Sequence, residues 1–487
     1  MNILVTGASG YIGRQLAERL LADGHDVTCM VRGAVRANLG NAERSRIVEA
    51  DVLRPETLTA VLDGVEVAYY LIHSMSGREH GFEERDRRAA YNFSVAAKRA
   101  GVRRVIYLGG LAAAGAPVSE HLKSRHETGA VLRKFGPPLI EFRAGIIVGN
   151  GSTSFEIIRC LTERLPVMIY PRWVTTRTQP IAVGDVLDYL IAGLQITGCI
   201  EQPVEVGGAT VETFRSMMLG YAHRRGLKRW LIRVPVLTPR LSSYWLDLVT
   251  PFSPAVTRPL IEGMRTKSVC TTTLAAHLFP TIQPMSYDAA LRKCLERSAP
   301  YLPLSKTAAA HQAVCEQGII CEIRSSTVNA SAERIFCLIA DIGGRNGWFY
   351  ANFLWRLRGW FDRLIGGIGM SRGRSRAIGL QAGDVIDFWR VERVEASRSV
   401  LLRAEMKVPG QAWLEFVVMP EERCRATLEC RAWFEPRGLL GEIYWWGLYP
   451  IHLLVFRGMV RSIRHQAERG WWSFTATARQ AFTVTTR

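Results

Sequence analysis

Apolar residues between positions 1 and 208 occur in short unbroken runs, and segments with the apolar spacing of a helix separate them. Runs of this length predict strands buried on both faces of a parallel sheet. Strands that alternate with helices predict an α/β fold with a doubly wound parallel sheet. The predicted strands are Ile3–Val5, Asp26–Val31, Val67–Ser74, Val105–Leu108, Leu139–Val148 and Gln202–Gly208, with helices at Arg14–Leu21 and Asp86–Ala100.

The first strand leads at Thr6 into a turn with glycine at every third position, Gly7, Gly10 and Gly13. Glycine lets backbone N–H groups approach a pyrophosphate closely, and the first turn of the following helix adds partial positive charge. A strand, a glycine-rich turn and a helix in this order predict a dinucleotide site. A tight turn that binds no ligand is the alternative.

The segment Thr-Gly-Ala-Ser-Gly-Tyr-Ile-Gly at residues 6–13 resembles the atypical and extended short-chain dehydrogenase/reductases. These belong to an NAD(P)-binding Rossmann superfamily with NmrA-like and epimerase-like members, and the resemblance covers about the first 300 residues. It implies that the cofactor is held at several strand ends. The implied contacts are Thr6, Gly7, Ser9, Gly10, Tyr11, Ile12 and Gly13 in the turn, Asp51 and Val52 beside the adenine, and Leu71 and Ser74 along the ribose and nicotinamide.

Arg32 follows the second predicted strand, where dinucleotide-binding chains selective for NAD have an acid that holds the ribose 2′-hydroxyl. An arginine at this position suits a 2′-phosphate instead. The sequence therefore predicts NADP rather than NAD as the cofactor. A solvated loop arginine is the alternative.

The residues that carry the reaction in this superfamily are replaced. Catalytic members have a Ser after the fifth strand and a Tyr-x-x-x-Lys pair on the next helix, where the Tyr donates a proton. In this chain Gly110, His121 and Arg125 stand at those positions. We expect His121, His73 or a bound water to donate the proton, since imidazole titrates near neutral pH, and we expect Arg125 to hold the ribose. An ordinary surface histidine is the alternative for His121.

A change of composition marks a second domain. Three tryptophans precede residue 316 and ten follow it, and residues 301–315 read as a Pro/Ser/Ala linker. We predict an NAD(P)-binding domain at 1–208, a mostly helical substrate-side extension at 209–300 and an α+β domain at 316–475. The elements predicted for the last are strands Ile319–Val328, Val385–Val394, Val400–Val408, Ala412–Met419 and Ala426–Phe434, and helices Ala332–Ile339 and Pro450–Arg469.

This order of elements resembles the helix-grip fold of polyketide-cyclase and lipid-transfer (START-like) proteins. The whole chain resembles a bacterial group in which an atypical short-chain dehydrogenase precedes a domain of unknown function. The resemblance implies an apolar cavity between the sheet and the C-terminal helix. We therefore expect a hydrophobic small-molecule ligand in the second domain.

Two functions are compatible with these observations. One is an NADPH-dependent reductase that transfers hydride to a hydrophobic carbonyl or alkene, which the glycine turn and the second ligand-sized domain favour. The other is a non-catalytic NADP-binding regulator or sensor, which the missing Ser and Tyr favour.

Lys and Arg outnumber Asp and Glu by 62 to 44, a net charge of +18. The arginines are dispersed and form no nucleic-acid-binding motif, so no nucleic acid partner is expected. Peripheral contact with an anionic membrane suits this charge better. Aromatic and arginine residues alternate between Trp348 and Arg363, and core or cavity wall is the favoured interpretation of that segment. The uncharged run Ile443–Phe456 has 14 residues, fewer than the roughly 20 that span a bilayer.

Ten cysteines are scattered along the chain, without a Cys-x-x-Cys pair or histidines at zinc-ligand spacing. We expect no metal site, and reduced thiols in a cytoplasmic protein. The first residues form a strand rather than a signal-peptide pattern. The sequence leaves the oligomeric state open.

Overall fold

The computed structural model describes residues 1–32, 46–73, 82–112, 119–234, 262–296, 313–316, 318–343, 347–370 and 379–469. The chain divides into two compact units, Met1–Arg297 and Ser298–Arg487. Ser74, which we predict to contact the cofactor, and residues 301–312 of the predicted linker lie outside the described residues. The finer boundaries at residues 208 and 315 stay predictions.

The first unit is built on a parallel sheet. Its strands are β1 Asn2–Thr6, β2 Asp26–Val31, β3 Arg46–Glu49, β4 Val67–Tyr70, β5 Arg104–Gly110, β6 Leu139–Ala144, β7 Ile147–Val148, β8 Val167–Tyr170, β9 Arg177–Thr178, β10 Ile181–Ala182, β11 Val204–Val206, β12 Glu212–Thr213 and β13 Trp230–Arg233. Seven of them form the main sheet in the order β11-β6-β5-β4-β1-β2-β3, all parallel. Strand order reverses beside β1, which is where such sheets bind nucleotides.

Helices cover both faces of this sheet. They are α1 Tyr11–Ala22, α2 Thr59–Leu62, α3 Phe82–Arg99, α4 Glu120–Phe135, α5 Thr153–Arg164, α6 Val183–Ala192, α7 Phe214–Arg224, α8 Leu274–Leu278 and α9 Tyr287–Leu295, with single 3₁₀ turns at Pro55–Thr57, Arg172–Thr175 and Gly193–Gln195. Leu16 and Leu190 pack with β1 on one face. Phe93 and Leu132 pack on the opposite face. The predicted doubly wound fold is confirmed.

Three predicted strands of this unit are shorter than expected. β11 covers Val204–Val206 rather than Gln202–Gly208, and the other two shortenings shape the cleft at the sheet edge. β4 ends at Tyr70 because the N–H of Leu71 leaves the ladder and donates to the Thr6 hydroxyl, at 3.1 Å. β6 ends at Ala144, and the chain then leaves the main sheet to pair Ile147 with Ile181. A Cβ on Gly145, at the point of departure, would lie 3.0 Å from the Gln179 carbonyl oxygen.

The second unit is an antiparallel sheet with helices. Its strands are β14 Ala313–Glu316, β15 Ile319–Val328, β16 Val385–Ile386, β17 Trp389–Glu395, β18 Ser399–Ala404, β19 Gly410–Glu422 and β20 Arg425–Pro436, and its helices are α10 Ala332–Ala340, α11 Asn352–Leu364 and α12 Gly438–Glu468. The strand order is β14-β15-β20-β19-β18-β17-β16. Alternate residues of β19, such as Leu414 and Phe416, share one apolar core with α10, α11 and α12. The predicted second sheet is therefore present.

The C-terminal helix is much longer than predicted. It begins at Gly438 rather than at Pro450, and Pro450 lies inside it. Proline is disfavoured there because it lacks an N–H and crowds the preceding turn. Burial of Trp445 before the proline and of Phe456 and Met459 after it packs both halves against the core, and this burial offsets the local cost.

The aromatic segment that begins at Trp348 divides between core and surface. Trp348 is fully buried and stacks on Trp355, with ring centroids 4.8 Å apart. Phe353 and Trp360, on the other side of α11, are 68% and 55% exposed. The interpretation as core or cavity wall therefore holds for only part of the segment. Among the described residues, no helix is long and apolar enough to cross a membrane.

Candidate active site

The glycine turn brings backbone against backbone. Gly7 has φ +65°, and a Cβ there would lie 2.7 Å from the Leu71 carbonyl oxygen. A Cβ on Gly13 would lie 2.3 Å from the carbonyl oxygen of Gly7. Gly10 precedes α1 without any side chain that caps the helix. Such a turn leaves the start of a helix open to an anion, so the residues present fit a dinucleotide pyrophosphate.

A cleft of about 370 Å³ lies at the carboxyl ends of β1, β4, β5 and β6. Its floor is the glycine turn, including Tyr11 and Ile12. The remaining lining comes from the strand ends, α4, the start of α5, and residues near the starts of α7 and α8: Leu71, His73, Leu108, Gly109, Gly110, Leu111, His121, Leu122, Arg125, Ala144, Gly145, Ile146, Ile147, Ser152, Thr153, Ser154, Phe214, Gly263, Met264 and Ser268. The cleft is mostly apolar, with a cluster of titratable groups on one side.

That cluster is a chain of hydrogen bonds that begins at His121. The Nε2 atoms of His121 and His73 are 2.7 Å apart. The Nδ1 atom of His73 is 3.3 Å from a carboxylate oxygen of Asp86 on α3. The same carboxylate oxygen accepts a hydrogen bond from the Ser124 hydroxyl, at 3.2 Å. His121 is therefore not a surface histidine, because α4 turns it toward the loop after β4.

The surroundings keep both histidines neutral. Burial, assisted by the nearby His73 and Arg125, lowers the pKa of His121 from its ordinary 6.5 to about 3. Burial also lowers the pKa of His73, although the Asp86 carboxylate opposes that shift. Here the free-energy cost of burying a charged imidazolium is larger than its favourable interaction with the one buried carboxylate, so the pKa is lowered. Because the two rings share a hydrogen bond, they titrate as a pair.

Arg125 stands one helical turn after His121. Its guanidinium donates to the carbonyl oxygen of Leu108 at the end of β5, and it lies 5.7 Å from the centre of the Tyr107 ring. The Tyr107 hydroxyl donates in turn to the Arg125 carbonyl oxygen, at 2.9 Å. A Cβ on Gly110 would lie 2.5 Å from the end of the Leu122 side chain, so a serine at this position would require Leu122 to move.

The other predicted cofactor residues are placed as follows. Thr6 is fully buried, and its hydroxyl donates to the Tyr69 carbonyl oxygen at 2.9 Å, so it joins β1 to β4. Ser9 and Arg32 are exposed, and Arg32 directly follows β2. Asp51 is half-buried, with one carboxylate oxygen accepting from the backbone N–H of Leu53.

Val52 is buried, and its carbonyl oxygen accepts from the Asn92 side chain at 2.9 Å. Together with the cleft residues, these positions surround the carboxyl edge of the sheet. The structure brings Gly7, His73, His121 and Arg125 to one cleft.

Asp86 and Ser124 are the residues that sequence reasoning missed as functional candidates. Asp86 lies 38 residues before Ser124 on another helix, so no local spacing connects the two residues. Their contact results from the packing of α3 against α4. The only signal in the sequence was an acidic residue, Asp86, at a helix position expected to be buried. That signal does not show which residue the carboxylate contacts.

The second unit contains a separate cavity of about 220 Å³ between α11, α12 and strands β17 to β20. Among the described residues that line it, Arg358 alone carries a charge, and it donates to the Tyr444 hydroxyl at 3.0 Å. Four tryptophans that line the cavity have a buried indole N–H without a partner among the described residues: Trp355, Trp389, Trp413 and Trp445.

His452 also lines this cavity. It packs edge-on to Trp445, with ring centroids 4.7 Å apart, and its Nδ1 atom has no partner among the residues described. Burial and the nearby Arg358 lower the pKa of His452 from 6.5 to about 4. The imidazole is therefore neutral at physiological pH.

Residues 7–135 match a protein family described as NAD(P)H-binding. The N-terminal unit therefore contains an NAD(P)H-binding domain. Residues 320–459 match a second family, described only as a protein of unknown function (DUF2867). The second unit therefore contains a DUF2867 domain.

The chain is 28% identical to the ceramide reductase of Caulobacter vibrioides over 237 residues, which are 48% of this chain and 73% of that protein. It is 26% identical to the photosystem II assembly factor Ycf39 of Synechocystis sp. over 117 residues, 24% of this chain and 36% of that protein. The triphenylmethane reductase of Citrobacter sp. has the same fold, with TM-score 0.50 and 17% identity over 61% of this chain and 100% of that one. The NAD(P)H-binding domain is therefore reductase-like.

The environment of His121 leads to a direct prediction. In the full-length protein the His121 ring should stay neutral at pH 5, because burial, the neighbouring His73 and the Arg125 guanidinium all oppose its protonation. Nitrogen-15 NMR of histidine-labelled protein measures this, with the His121→Gln spectrum assigning the signal. A His121 ring that titrates near its ordinary value of 6.5 would show that the pair is solvated rather than buried.

Proposed function

We propose that the N-terminal unit catalyses the NADPH-dependent reduction of a hydrophobic carbonyl or conjugated alkene, with His121 as proton donor. The 2.7 Å contact between His121 and His73 carries the proposal, because it joins two titratable rings by a hydrogen bond. His121 stands at the sequence position of the superfamily's proton-donating tyrosine. The apolar side chains of Leu108, Phe214 and Met264 in the cleft support an apolar substrate. The similarity to a ceramide reductase supports the reaction type.

NADPH supplies a hydride when it is bound. Gly7, Gly10 and Gly13 would hold its pyrophosphate, and Arg125 would face its nicotinamide ribose. The hydride adds to the carbonyl carbon (or to the far carbon of the conjugated alkene), and the chain must deliver one proton to the oxygen or to the adjacent carbon. The apolar cleft limits the access of water, so a protein group has to provide that proton.

The hydrogen-bonded chain provides a route for it. The Nδ1–H of His73 donates to Asp86, so a proton added to the histidine pair goes to Nε2 of His73. There it lies between the Nε2 atoms of His73 and His121. His121 then donates its Nδ1 proton to the substrate and takes the shared proton from His73. Both rings end neutral, and Asp86 still holds His73. Asp86 and His73 act through His121 and are positioning residues.

The lowered pKa values set the pH dependence of this route. The extra proton is present only below the depressed pKa of the pair, so the proton-donating form becomes more abundant as the pH falls. We infer that reduction is faster in mildly acidic than in alkaline solution. A water or tyrosine donor would give a different profile.

His121→Phe should lower the rate of NADPH oxidation by about 100-fold or more with 2-decanone or 2-cyclohexenone as probe substrates, because it removes the proton donor. The Kd for NADPH should stay within about twofold, since the glycine turn is untouched. Stopped-flow absorbance and NADPH fluorescence measure the two quantities.

Asp86→Asn serves as the test of positioning. It removes the carboxylate that raises the pKa of His73, so the pH–rate profile should move to lower pH while the NADPH Kd is retained. If wild-type protein binds NADPH and oxidises it with none of the probe carbonyls or alkenes at any pH from 5 to 8, the non-catalytic NADP-binding regulator is the better description.

We further propose NADP rather than NAD as the cofactor. Arg32 follows β2 directly and is exposed, and no carboxylate occupies that position to hold a ribose 2′-hydroxyl. Arg32→Ala should weaken NADPH binding by roughly 10-fold or more while NADH binding changes little, because a charged hydrogen bond to the 2′-phosphate is lost. Calorimetry measures both affinities.

Arg46→Ala is the matched control for Arg32→Ala. Arg46 is also exposed, but it begins β3 at the amino edge of the sheet, away from the cleft. Its replacement should leave both affinities unchanged. Equal losses of NADPH and NADH affinity in Arg32→Ala would remove the case for NADP selectivity.

For the second unit we propose that the cavity binds an apolar ligand with a hydrogen-bond acceptor, which agrees with a helix-grip architecture. The lining is aromatic and aliphatic, and four buried indole N–H groups beside it have no partner among the described residues. Each unmet buried donor costs about 1–3 kcal/mol. A volume of about 220 Å³ suits a small ring or the end of an alkyl chain.

Ala412→Phe should prevent this binding, because Ala412 is half-buried on β19 and lines the cavity. The measurement is the displacement of Nile red fluorescence from full-length protein by 2-decanone. Ala404→Phe is the control, since Ala404 is a half-buried alanine on β18 that packs on the core without lining the cavity. Equal displacement from wild type and both variants would place the probe elsewhere.

A further inference from the structure

Two neighbouring helices of the second unit expose large apolar side chains. On α11 these are Phe353, Leu357, Trp360, Phe361 and Leu364, and on α12 they include Leu440, Ile443, Trp446, Ile451 and Leu454. Most of the spacings on each helix are three or four residues, and all members of a set lie on one side of their helix, so each set forms one stripe. Exposed apolar patches of this kind mark interaction sites more often than scattered single residues do.

The two stripes belong to one surface. Arg358 of α11 donates to the Tyr444 hydroxyl of α12 at 3.0 Å, so the helices are in direct contact. Leu357 and Phe361 from one stripe and Ile451 from the other also line the cavity of this unit. The cavity therefore opens between the two stripes. We call this surface the α11–α12 face.

Positive charge accompanies the face. Arg356 and Arg363 are exposed on α11, and neither has an acidic partner among the described residues. On α12 a groove of about 1160 Å³ continues from Leu453 and Leu454 to Arg457 and Arg461, which also lack acidic partners there.

Acidic residues are scarce along these stretches. From residue 443 to residue 467 the sequence of α12 contains no Asp or Glu, and α11 has none before Asp362. Asp362 is buried, and its carboxylate accepts from the backbone N–H groups of Gly369 and Lys407. The face therefore presents exposed arginines without exposed acids between them.

We propose that the α11–α12 face docks on an anionic lipid bilayer, with the cavity mouth turned toward the lipid. Tryptophan and phenylalanine side chains suit the headgroup boundary, and arginines beside them suit anionic headgroups. The combination of an exposed aromatic stripe and unpaired arginines is typical of a helix that lies in a membrane surface. An apolar ligand could then enter the cavity from the bilayer without crossing water. The docking does not require that the N-terminal unit be an enzyme.

Vesicle sedimentation of the full-length protein tests this inference. The protein should bind vesicles of phosphatidylcholine with 30% phosphatidylglycerol much more strongly than vesicles of phosphatidylcholine alone, and added salt should weaken binding. The double variant Arg457→Gln/Arg461→Gln should bind the anionic vesicles roughly 25-fold more weakly, at about fivefold per arginine. Arg398→Gln/Arg423→Gln is the charge-matched control, in the β17–β18 and β19–β20 turns, and should bind as wild type does.

Apolar insertion needs its own variants. Phe353→Ser/Trp360→Ser should lower the partition coefficient at least tenfold, whereas Trp230→Ser, at a 66% exposed tryptophan of the other unit, should not change it. Binding that these variants leave unaltered would overturn the proposal. The proposal would also be overturned if the face mediated self-association instead. In that case wild-type protein would bind no vesicles and would sediment as a dimer without lipid, and Phe353→Ser/Trp360→Ser would convert this dimer to a monomer.

Discussion

The close contact between the glycines of the first turn determines how the N-terminal unit is arranged. With a Cβ of Gly13 only 2.3 Å from the Gly7 carbonyl oxygen, no other residue permits α1 to approach β1 so closely. That approach directs the start of α1 at the carboxyl edge of the sheet, beside the loop that follows β4. The same loop carries Leu71 and His73. The turn therefore forms the phosphate cradle and one wall of the cleft together.

On the opposite wall, the usual acid is replaced by a pair of rings whose proton affinity depends on burial. In the short-chain dehydrogenase/reductases that the sequence resembles, the tyrosine needs a cation to lower its pKa, whereas in the proposed mechanism His121 needs a carboxylate to keep a proton within reach. Asp86, through His73, supplies that carboxylate, and Arg125 works against it. Replacing the tyrosine by this histidine pair therefore changes which charged groups the site needs, and not only one side chain.

The second unit concentrates its tryptophans around a cavity and on the surface beside it. Trp348 is satisfied, since its indole N–H donates to Asp387 at 2.8 Å, while Trp355, Trp389 and Trp445 have no such partner among the described residues. Buried donors without acceptors are rare in native proteins. Their position beside an apolar cavity agrees with the proposed ligand, which carries a hydrogen-bond acceptor. It also gives a role to the excess of tryptophan that first marked this part of the chain as a separate domain.

The sequence by itself determined the doubly wound sheet, the dinucleotide turn and the presence of a second sheet. These depend on local patterns, namely buried apolar runs and glycines at fixed spacing, which few other folds accommodate. It also predicted that Gly110, His121 and Arg125 stand at the positions of the usual reactive residues. It placed the start of the last helix twelve residues too late, because a proline inside a helix is excluded by local rules and tolerated where packing compensates.

Tertiary structure alone decided which side chains meet. The contact of His121 with His73, and of His73 with Asp86, joins a loop and two helices that are separated along the chain by dozens of residues. Tertiary structure also divided the aromatic segment, with Trp348 buried in the core and Trp360 of helix α11 exposed to solvent. Local spacing gives the faces of a helix, but only the packed neighbour decides which face is buried.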